Sequence, residues 1–484
     1  MSERALESLN RALELENEFD FREAKIIYED LNQNDVPDNI IEVVSFRLEN
    51  MDALIAEKEM YQRIHDNGKK VLSEIGINIV GSEELVSILM EADAIDFNNE
   101  AAVFVPLKED YIDKCLEKCP RNWLGDPGIN SFGTGATPPF LKRAGDNELC
   151  QATRSDFEDI VASVTRNEDV IGIFSLPVAT DNSITAFEAA ELMEKGYSGL
   201  KMTSIKGFSD DEMKFLVGKD HWLDGTTLIT SFSPMRTMVS PFLRSVRNGT
   251  NLLLLDLTIA GASGPRSPEA LLTQIHAQVL FMMVVAQTIN PGVLCVHGGI
   301  PGVTEAGGDL SYSSSHQPLI NAAMARVNTW ITRFPSAQSG GSTSISELTS
   351  EAILESELSR NTLRKYGVHI IRHAMGAMGS LNFFSPEKFE KDCERERNNL
   401  QLFSSAPKDR GVIPLYTPVD PEAMEGIREI AEKGGPKNAE HTLRNVDSFF
   451  SWEKSINESE KDKLYHPNIN DTVIEMIGKG TMVP

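Results

Sequence analysis

The residues of this chain that could do chemistry stand at or near the ends of short apolar runs. Phe132, Phe174, Met202, Phe232, Asp256, His297, Gln338, His373 and Met375 hold such places, with Arg236 a few positions beyond Phe232. Paired carboxylates are what the set lacks: only Asp256 stands at a run's end, whereas glycoside hydrolysis needs two facing acids. His297 and His373 lie in separate runs, without the close spacing of a zinc site. Cys115 and Cys119 share one face of a helix and Cys295 falls in mid-run, so no metal site is expected. Lys201 precedes Met202 within its run and reads as a structural lysine rather than a Schiff-base former.

Aromatic rings and methionines suit a different ligand. An aromatic face attracts a cation without a hydrogen bond, worth roughly 0.5–2 kcal/mol when desolvated. A quaternary ammonium has no N–H to satisfy, so a box of rings is a natural way to hold it; the plainer role for each Phe is to cap a core. Glycine-rich loops follow several of these residues. They are Gly298-Gly299-Ile300-Pro301-Gly302, Gly307-Gly308-Asp309-Leu310-Ser311-Tyr312 and Gly340-Gly341-Ser342-Thr343-Ser344, with Gly376 and Gly379 after His373. Glycines there either let something large and flat approach the backbone or only shape turns.

The elements that must position these residues alternate. Strands are expected at 129–135, 170–178, 199–205, 228–232, 251–257, 293–297, 335–339 and 368–374, with helices starting near Ser155, Ser183, Ser209, Val239, Ser267, Gln317 and Ser346. Ser or Thr caps with nearby acids mark several of the helix starts. About eight βα units predict an α/β fold of the (β/α)8 TIM-barrel kind, whose active site lies where the strands end and the βα loops begin. A doubly wound open sheet is the alternative, but no Gly-x-Gly-x-x-Gly loop follows the first strand. Three regions follow: a helical N-terminal extension over 1–125, a barrel over 126–403, and a tail over 404–484 that wraps it.

Composition narrows the partners. The 484 residues carry 46 basic and 72 acidic side chains, a formal charge of −26. Such a field disfavours nucleic acid and anionic lipid. Five cysteines are few and odd in number, which points to a reducing compartment. Met1-Ser2-Glu3-Arg4 opens directly into a charged helical pattern. The most apolar stretch, 279–289, is shorter than the roughly 20 residues of a membrane span. A cytoplasmic protein is expected, and the long amphipathic N-terminal region fits a homo-oligomer.

The ordered set of motifs resembles the trimethylamine:corrinoid methyltransferase family, in its non-pyrrolysine branch that includes glycine betaine methyltransferases. The residues are Arg63-Ile64-His65 through Gly76, Gly133-Thr134-Gly135, Ala152-Thr153 before Asp156, and the helix after Ser267 closed by Asn290-Pro291-Gly292. Gly308-Asp309-Leu310, Gly340-Gly341 and Ser385-Pro386-Glu387 complete the series, and the likeness spans about 60–405. It implies a barrel that binds a methylated amine and presents its methyl to Co(I) of a corrinoid (cobalamin) carried by a separate corrinoid protein. Trimethylamine enzymes of the family carry pyrrolysine near Gly341-Ser342-Thr343, and its absence here turns attention to quaternary amines.

On that resemblance Phe132, Phe174, Phe232 and Tyr312 would box the ammonium. Arg236 or His297 would hold a substrate carboxylate, and Gln338 and His373 would orient the substrate. Asp309 and the loop Gly340, Gly341 and Ser342 would shape the pocket near the cobalt. Carnitine, proline betaine, γ-butyrobetaine and trimethylamine are the other substrates in view. A betaine-binding protein without turnover and a Lys201 lyase or aldolase are the readings from other classes.

Overall fold

The computed structural model describes residues 2–34, 36–79, 82–96, 104–121, 131–134, 137–143, 145–146, 148–304, 310–311, 316–368, 370–403, 420 and 422–433. Eight strands close a parallel barrel: β1 (Ser131–Thr134), β2 (Ile173–Ser175), β3 (Leu200–Thr203), β4 (Trp222–Thr226), β5 (Leu252–Asp256), β6 (Cys295–Gly299), β7 (Ser336–Ser339) and β8 (Ile370–Met375). They follow one another in chain order, and β8 returns to β1 through Ser131 opposite Ile370.

Alternation decides which side chains fill the barrel, because successive residues of a strand point to opposite faces. Ile173, Leu200, Met202, Leu223, Leu253, Leu255, Leu294, Val296, Ala337 and Ile370 pack as a cluster of their own, apart from the helix layer. The register is consistent around the barrel: Gly133 faces Ile173, Ser175 faces Met202, Leu255 faces Gly298, and Ser339 faces Arg372. Those residues therefore share the lumenal face, and their neighbours in sequence face the helices.

The fourth strand differs from expectation. It is Trp222–Thr226, while Ile229–Thr230 pairs antiparallel with Ser233–Pro234 in a small hairpin beyond its end. Residues 228–232 are the more apolar run, but Ser231 (φ 46°) and Phe232 (φ 64°) are left-handed and cannot continue an extended chain. Asp224 hides the true strand from a hydropathy reading. It faces the helix layer, where its carboxylate accepts the Ile205 N–H at 3.2 Å.

The surrounding helices include α1 (Ser2–Asn17), α2 (Phe21–Gln33), α3 (Asp38–Lys70), α4 (Arg154–Arg166), α5 (Ala186–Gly196), α6 (Arg236–Arg247), α7 (Pro268–Ile289), α8 (His316–Arg326), α9 (Ser350–Lys365) and α10 (Pro386–Phe403). Thr153 and Thr185 start α4 and α5 with reciprocal caps, each accepting from the third residue's backbone while that residue's acid accepts from its own. By length and composition α7 could cross a membrane, yet Pro268 to Gln287 are all buried among other elements. The N-terminal helices are fixed to the barrel through a buried ion pair, Arg326 to Glu57 at 2.8 Å, and by Trp330 packed against Phe19, Phe21 and Tyr61. Residues 423–433 form a helix whose Ala423, Ile427 and Ile430 pack in the same apolar cluster as α7.

Past the strands' C-terminal ends, extra strands stand over the mouth. Phe140–Lys142, Leu149–Cys150, Ala377–Met378 and Phe383–Phe384 form one sheet, and Ile259–Ala260, Gly302–Thr304 and Leu310–Ser311 another.

Candidate active site

The lumen is apolar below and becomes polar at the mouth on one side. Arg372 lies two residues beyond Ile370 on β8, so it points inward, and it is 2 % exposed. Beside it on β7 is Ser339, and on β1 is Gly133, where an added Cβ would sit 3.3 Å from the Arg372 Cα. The glycine lets β1 lie close against the β8 backbone and the Ile173 side chain. Ser175 of β2 contributes a buried hydroxyl with no partner among the described residues. Met202 and Leu255 hold the lumenal face of β3 and β5.

Hydrogen bonds around Arg372 fix a protonation state. Its Nη2 lies 3.1 Å from His373 Nε2, and His373 Nδ1 lies 2.7 Å from Ser339 Oγ. A guanidinium can only donate, so His373 Nε2 accepts and its proton sits on Nδ1, directed at Ser339. Burial and the neighbouring cation drive the His373 pKa well below the usual value, which agrees with that neutral tautomer. Ser339 keeps its own proton to donate. The Nε and Nη1 of Arg372 have no partner among the described residues, and burial pulls its pKa down to about 9.

The end of β8 is clamped from behind. Arg360 of α9 donates to the Ala374 carbonyl at 2.7 Å and to Asp392 of α10 at 3.0 Å, while Gly376 N–H and Lys388 Nζ donate to the same carboxylate. The burial cost of these charges is offset by their mutual pairing. The effect on the site is positional: β8 and its two polar residues sit on a rigid base.

The residues expected to form the site are not all together. His373 and Ser342 are buried at the mouth end of β8 and just beyond β7, and the Ser342 hydroxyl has no partner among the described residues. His297 and Gln338 lie on the outer faces of β6 and β7. Gln338 Nε2 donates to Ser336 at 3.0 Å, and its Oε1 has no partner among the described residues. His297 closes a thread of three imidazoles. His65 Nδ1 lies 2.9 Å from His276 Nε2, and His276 Nδ1 lies 3.1 Å from His297 Nε2. Burial lowers His65 to about 4 and His297 to about 3, and carries His276 well below its usual value. All three are neutral near pH 7, so His297 offers no positive charge to a carboxylate.

Phe174 faces the helix layer, edge-on to Tyr197 with ring centroids 6.0 Å apart. Phe232 is fully buried beside Phe104, and its backbone N–H donates to Gln278 Oε1 at 2.8 Å. Arg236 is exposed as the first residue of α6. Asp309 and Tyr312 lie outside the described residues, as does the side chain of Phe132. Lys201 also faces outward, donating to the Gly199 carbonyl at 2.8 Å and pairing with Glu194 at 3.4 Å. Asp256 and Asp224 turn to the helices too, raised by burial to about 7 and about 6.

Arg372 was missed from the sequence, although the signal was present: a charged residue inside Ile370-Ile371-Arg372-His373-Ala374-Met375, in step with a lumenal isoleucine.

The glycine loop has a packing explanation. A Cβ on Gly340 would fall 2.0 Å from Leu363 Cδ1, and one on Gly341 would fall 2.7 Å from the Ala374 backbone and 2.8 Å from Arg360 Cγ. Both glycines let α9 approach β7 and β8. What the lumenal residues can do is bind, orient and keep water from a small ligand. Among them, as far as they are described, there is no carboxylate, lysine or cysteine to exchange protons or form a covalent adduct.

The chain is similar to known proteins. A curated relative, the glycine betaine methyltransferase of Desulfitobacterium hafniense (strain Y51), is 24 % identical over 423 residues, covering 81 % of this chain and 84 % of that protein. Solved structures of the monomethylamine methyltransferase MtmB are similar as well. A hydroxylamine complex is 9 % identical, covers 80 % of this chain and 84 % of its own, and has a TM-score of 0.41. The protein from Methanosarcina barkeri is 10 % identical, covers 82 % and 86 %, and also scores 0.41. The sequence profile of the trimethylamine methyltransferase (MTTB) family matches residues 29–465, and the chain belongs to that family.

Proposed function

We propose that this protein transfers a methyl group from a small quaternary amine, glycine betaine or a related betaine, to the reduced cobalt of a corrinoid held by a separate protein. The observation that carries this reading is the absence, among the described lumenal residues, of any carboxylate, lysine or cysteine, with the one imidazole at hand, His373, held neutral and its proton turned to Ser339. Removing a methyl from a quaternary nitrogen breaks the N–CH3 bond and leaves the electron pair on nitrogen. The product is a neutral tertiary amine, so no acid is needed for the leaving group. The corrinoid supplies the electron pair that takes the methyl.

This chain's share of the work is orientation and exclusion of water. Met202 and Leu255 give the apolar side of the lumen, and the polar groups of β7 and β8 the other. The curated betaine methyltransferase relative supports the same substrate class.

Anaerobic spectroscopy tests the proposal. Co(I) cobalamin, free or on a corrinoid protein, is mixed with this protein and, separately, glycine betaine, carnitine, proline betaine and trimethylamine. Protein-dependent methyl–cobalt formation with a quaternary amine is the expected result. No conversion with any of them would overturn transfer, and ligand binding without conversion would leave a betaine-binding protein.

A further inference from the structure

Three arginines are buried among the described residues, and they are not alike. Arg326 faces Glu57 at 2.8 Å and Arg360 faces Asp392 at 3.0 Å. Among the described residues, Arg372 faces no carboxylate, its buried Nε and Nη1 have no acceptor, and its one hydrogen bond goes to a neutral imidazole. Taking a guanidinium out of water without a counter-ion costs several kcal/mol. A fold that pairs its other buried arginines has left this one for something that arrives later.

The surroundings say what that is. Arg372 points into the lumen at the mouth, where βα-barrel ligands bind. The Ser339 hydroxyl, already accepting from His373, has a proton left to give. The Ser175 hydroxyl on the lumenal face of β2 also has no partner among the described residues. The group that satisfies a guanidinium and neighbouring hydroxyl donors is an oxyanion, and charge-assisted bonds of this kind are the strong ones. A bare quaternary cation would be repelled by Arg372. A zwitterion whose acid reaches the guanidinium while its ammonium lies toward Met202 and Leu255 would be attracted at one end and packed at the other.

We infer that Arg372, held by His373 and Ser339, is the receptor for a carboxylate on the substrate, so that the enzyme selects methylated amines carrying an acid and rejects those carrying a hydroxyl or nothing. This deepens the transfer reading above and rests on it for the word substrate. Arg372 binds; His373 is a positioning residue that acts through it.

The test uses the full chain and the variants Arg372→Gln and Arg372→Lys, with glycine betaine, choline and tetramethylammonium as probes. Thermal unfolding is read with and without each probe, which needs no corrinoid. Glycine betaine should raise the Tm of the native protein and fail to raise that of Arg372→Gln. Without ligand, Arg372→Gln should be at least as stable as the native protein, because an unpaired buried charge has been removed. In methyl transfer, the ratio of kcat/KM for glycine betaine to that for tetramethylammonium should fall about 100-fold in Arg372→Gln, in line with the loss of a charged hydrogen bond. Arg372→Lys, which keeps the charge but loses the fork, should bind betaine more weakly than the native protein and more tightly than Arg372→Gln.

Retained protection by betaine in Arg372→Gln would overturn the inference. So would equal loss on all probes, or failure of both variants to fold, which would make the charge structural. The two proposals separate cleanly. Arg372-dependent protection by betaine with no methyl transfer leaves the receptor and removes the transferase; transfer from betaine that ignores Arg372 does the reverse.

Discussion

Arg372 and His373 are consecutive in sequence and hydrogen-bonded through their side chains, Nη2 to Nε2 at 3.1 Å. In an extended strand neighbouring side chains point to opposite faces and could not meet. His373 has φ 60°, a left-handed conformation that brings its ring round to the same side. Strain of this kind costs about 1–3 kcal/mol and is characteristically found at functional sites. His373→Asn should keep the backbone, since Asn tolerates left-handed φ, while removing the acceptor for Arg372. The expected outcome is near-native Tm with KM for glycine betaine raised roughly tenfold and kcat changed less, on the scale of one lost charged hydrogen bond. His373→Val should instead lower stability by about 1–3 kcal/mol in chemical denaturation.

The histidine thread gives a pH dependence with a definite sign. The folded pKa values of His65, His276 and His297 lie below their ordinary value, so folding favours the neutral rings. Their stabilisation is present above the unfolded pKa near 6.5 and is lost as pH falls toward about 4 and about 3. In His276→Gln the central titration is gone. The native protein's advantage over that variant should shrink as pH falls from 7 to 5, through the unfolded pKa. Denaturant titrations at the two pH values measure it, and a constant difference would show that His276 does not titrate with folding.

Asp256 provides the opposite sign. Burial raises its folded pKa to about 7, so the native state holds a proton that the unfolded chain has lost. Its ionisation weakens the fold as pH rises from near 4 through 7. The stability of Asp256→Asn relative to the native protein should therefore increase over that interval, read from the same titrations.

The two glycines after β7 should respond differently to alanine. At Gly340 the obstacle is Leu363 Cδ1, a side-chain end, so Gly340→Ala should cost about 1–3 kcal/mol and be partly rescued by Leu363→Ala. At Gly341 the obstacles are the Ala374 backbone and a φ of 88°. No second substitution relieves a backbone contact, and Gly341→Ala should lower Tm more, with Leu363→Ala giving no recovery.

Phe232→Ala should behave as a core deletion, losing about 3–5 kcal/mol of stability. Its ring is buried beside Phe104, and its backbone joins Gln278 on one side and Asn78 on the other. The protein that stays folded should use glycine betaine with an unchanged KM. A raised KM at native stability would return Phe232 to the site.

These residues show where the sequence could be read and where it could not. Alternating βα units and Ser or Thr caps made the barrel legible, because period and caps are local. The fourth strand was not, because buried Asp224 breaks the apolar run and its compensation comes from Ile205 on a different element. Strand ends located the mouth but not which face a residue takes. His297 and Gln338 sit at the right height and point away from the lumen, a matter of parity that the register alone fixes. Arg372 escaped notice because its meaning lies in a missing partner, which only the folded neighbourhood reveals.

The ion pair between Glu57 and Arg326 spans 269 positions of chain, and Arg63 reaches Glu269 across 206. A growing polypeptide that has released α1 to α3 can pack them on one another, but not against α7 and α8 until those have also been made. Folding dominated by such distant contacts is slow. The N-terminal helices must wait with Phe19, Phe21 and Tyr61 uncovered, an interval in which aggregation competes with folding. An expression host that slows synthesis or supplies a holding chaperone would act on that interval, while the finished molecule, once the pair has closed, carries no trace of it.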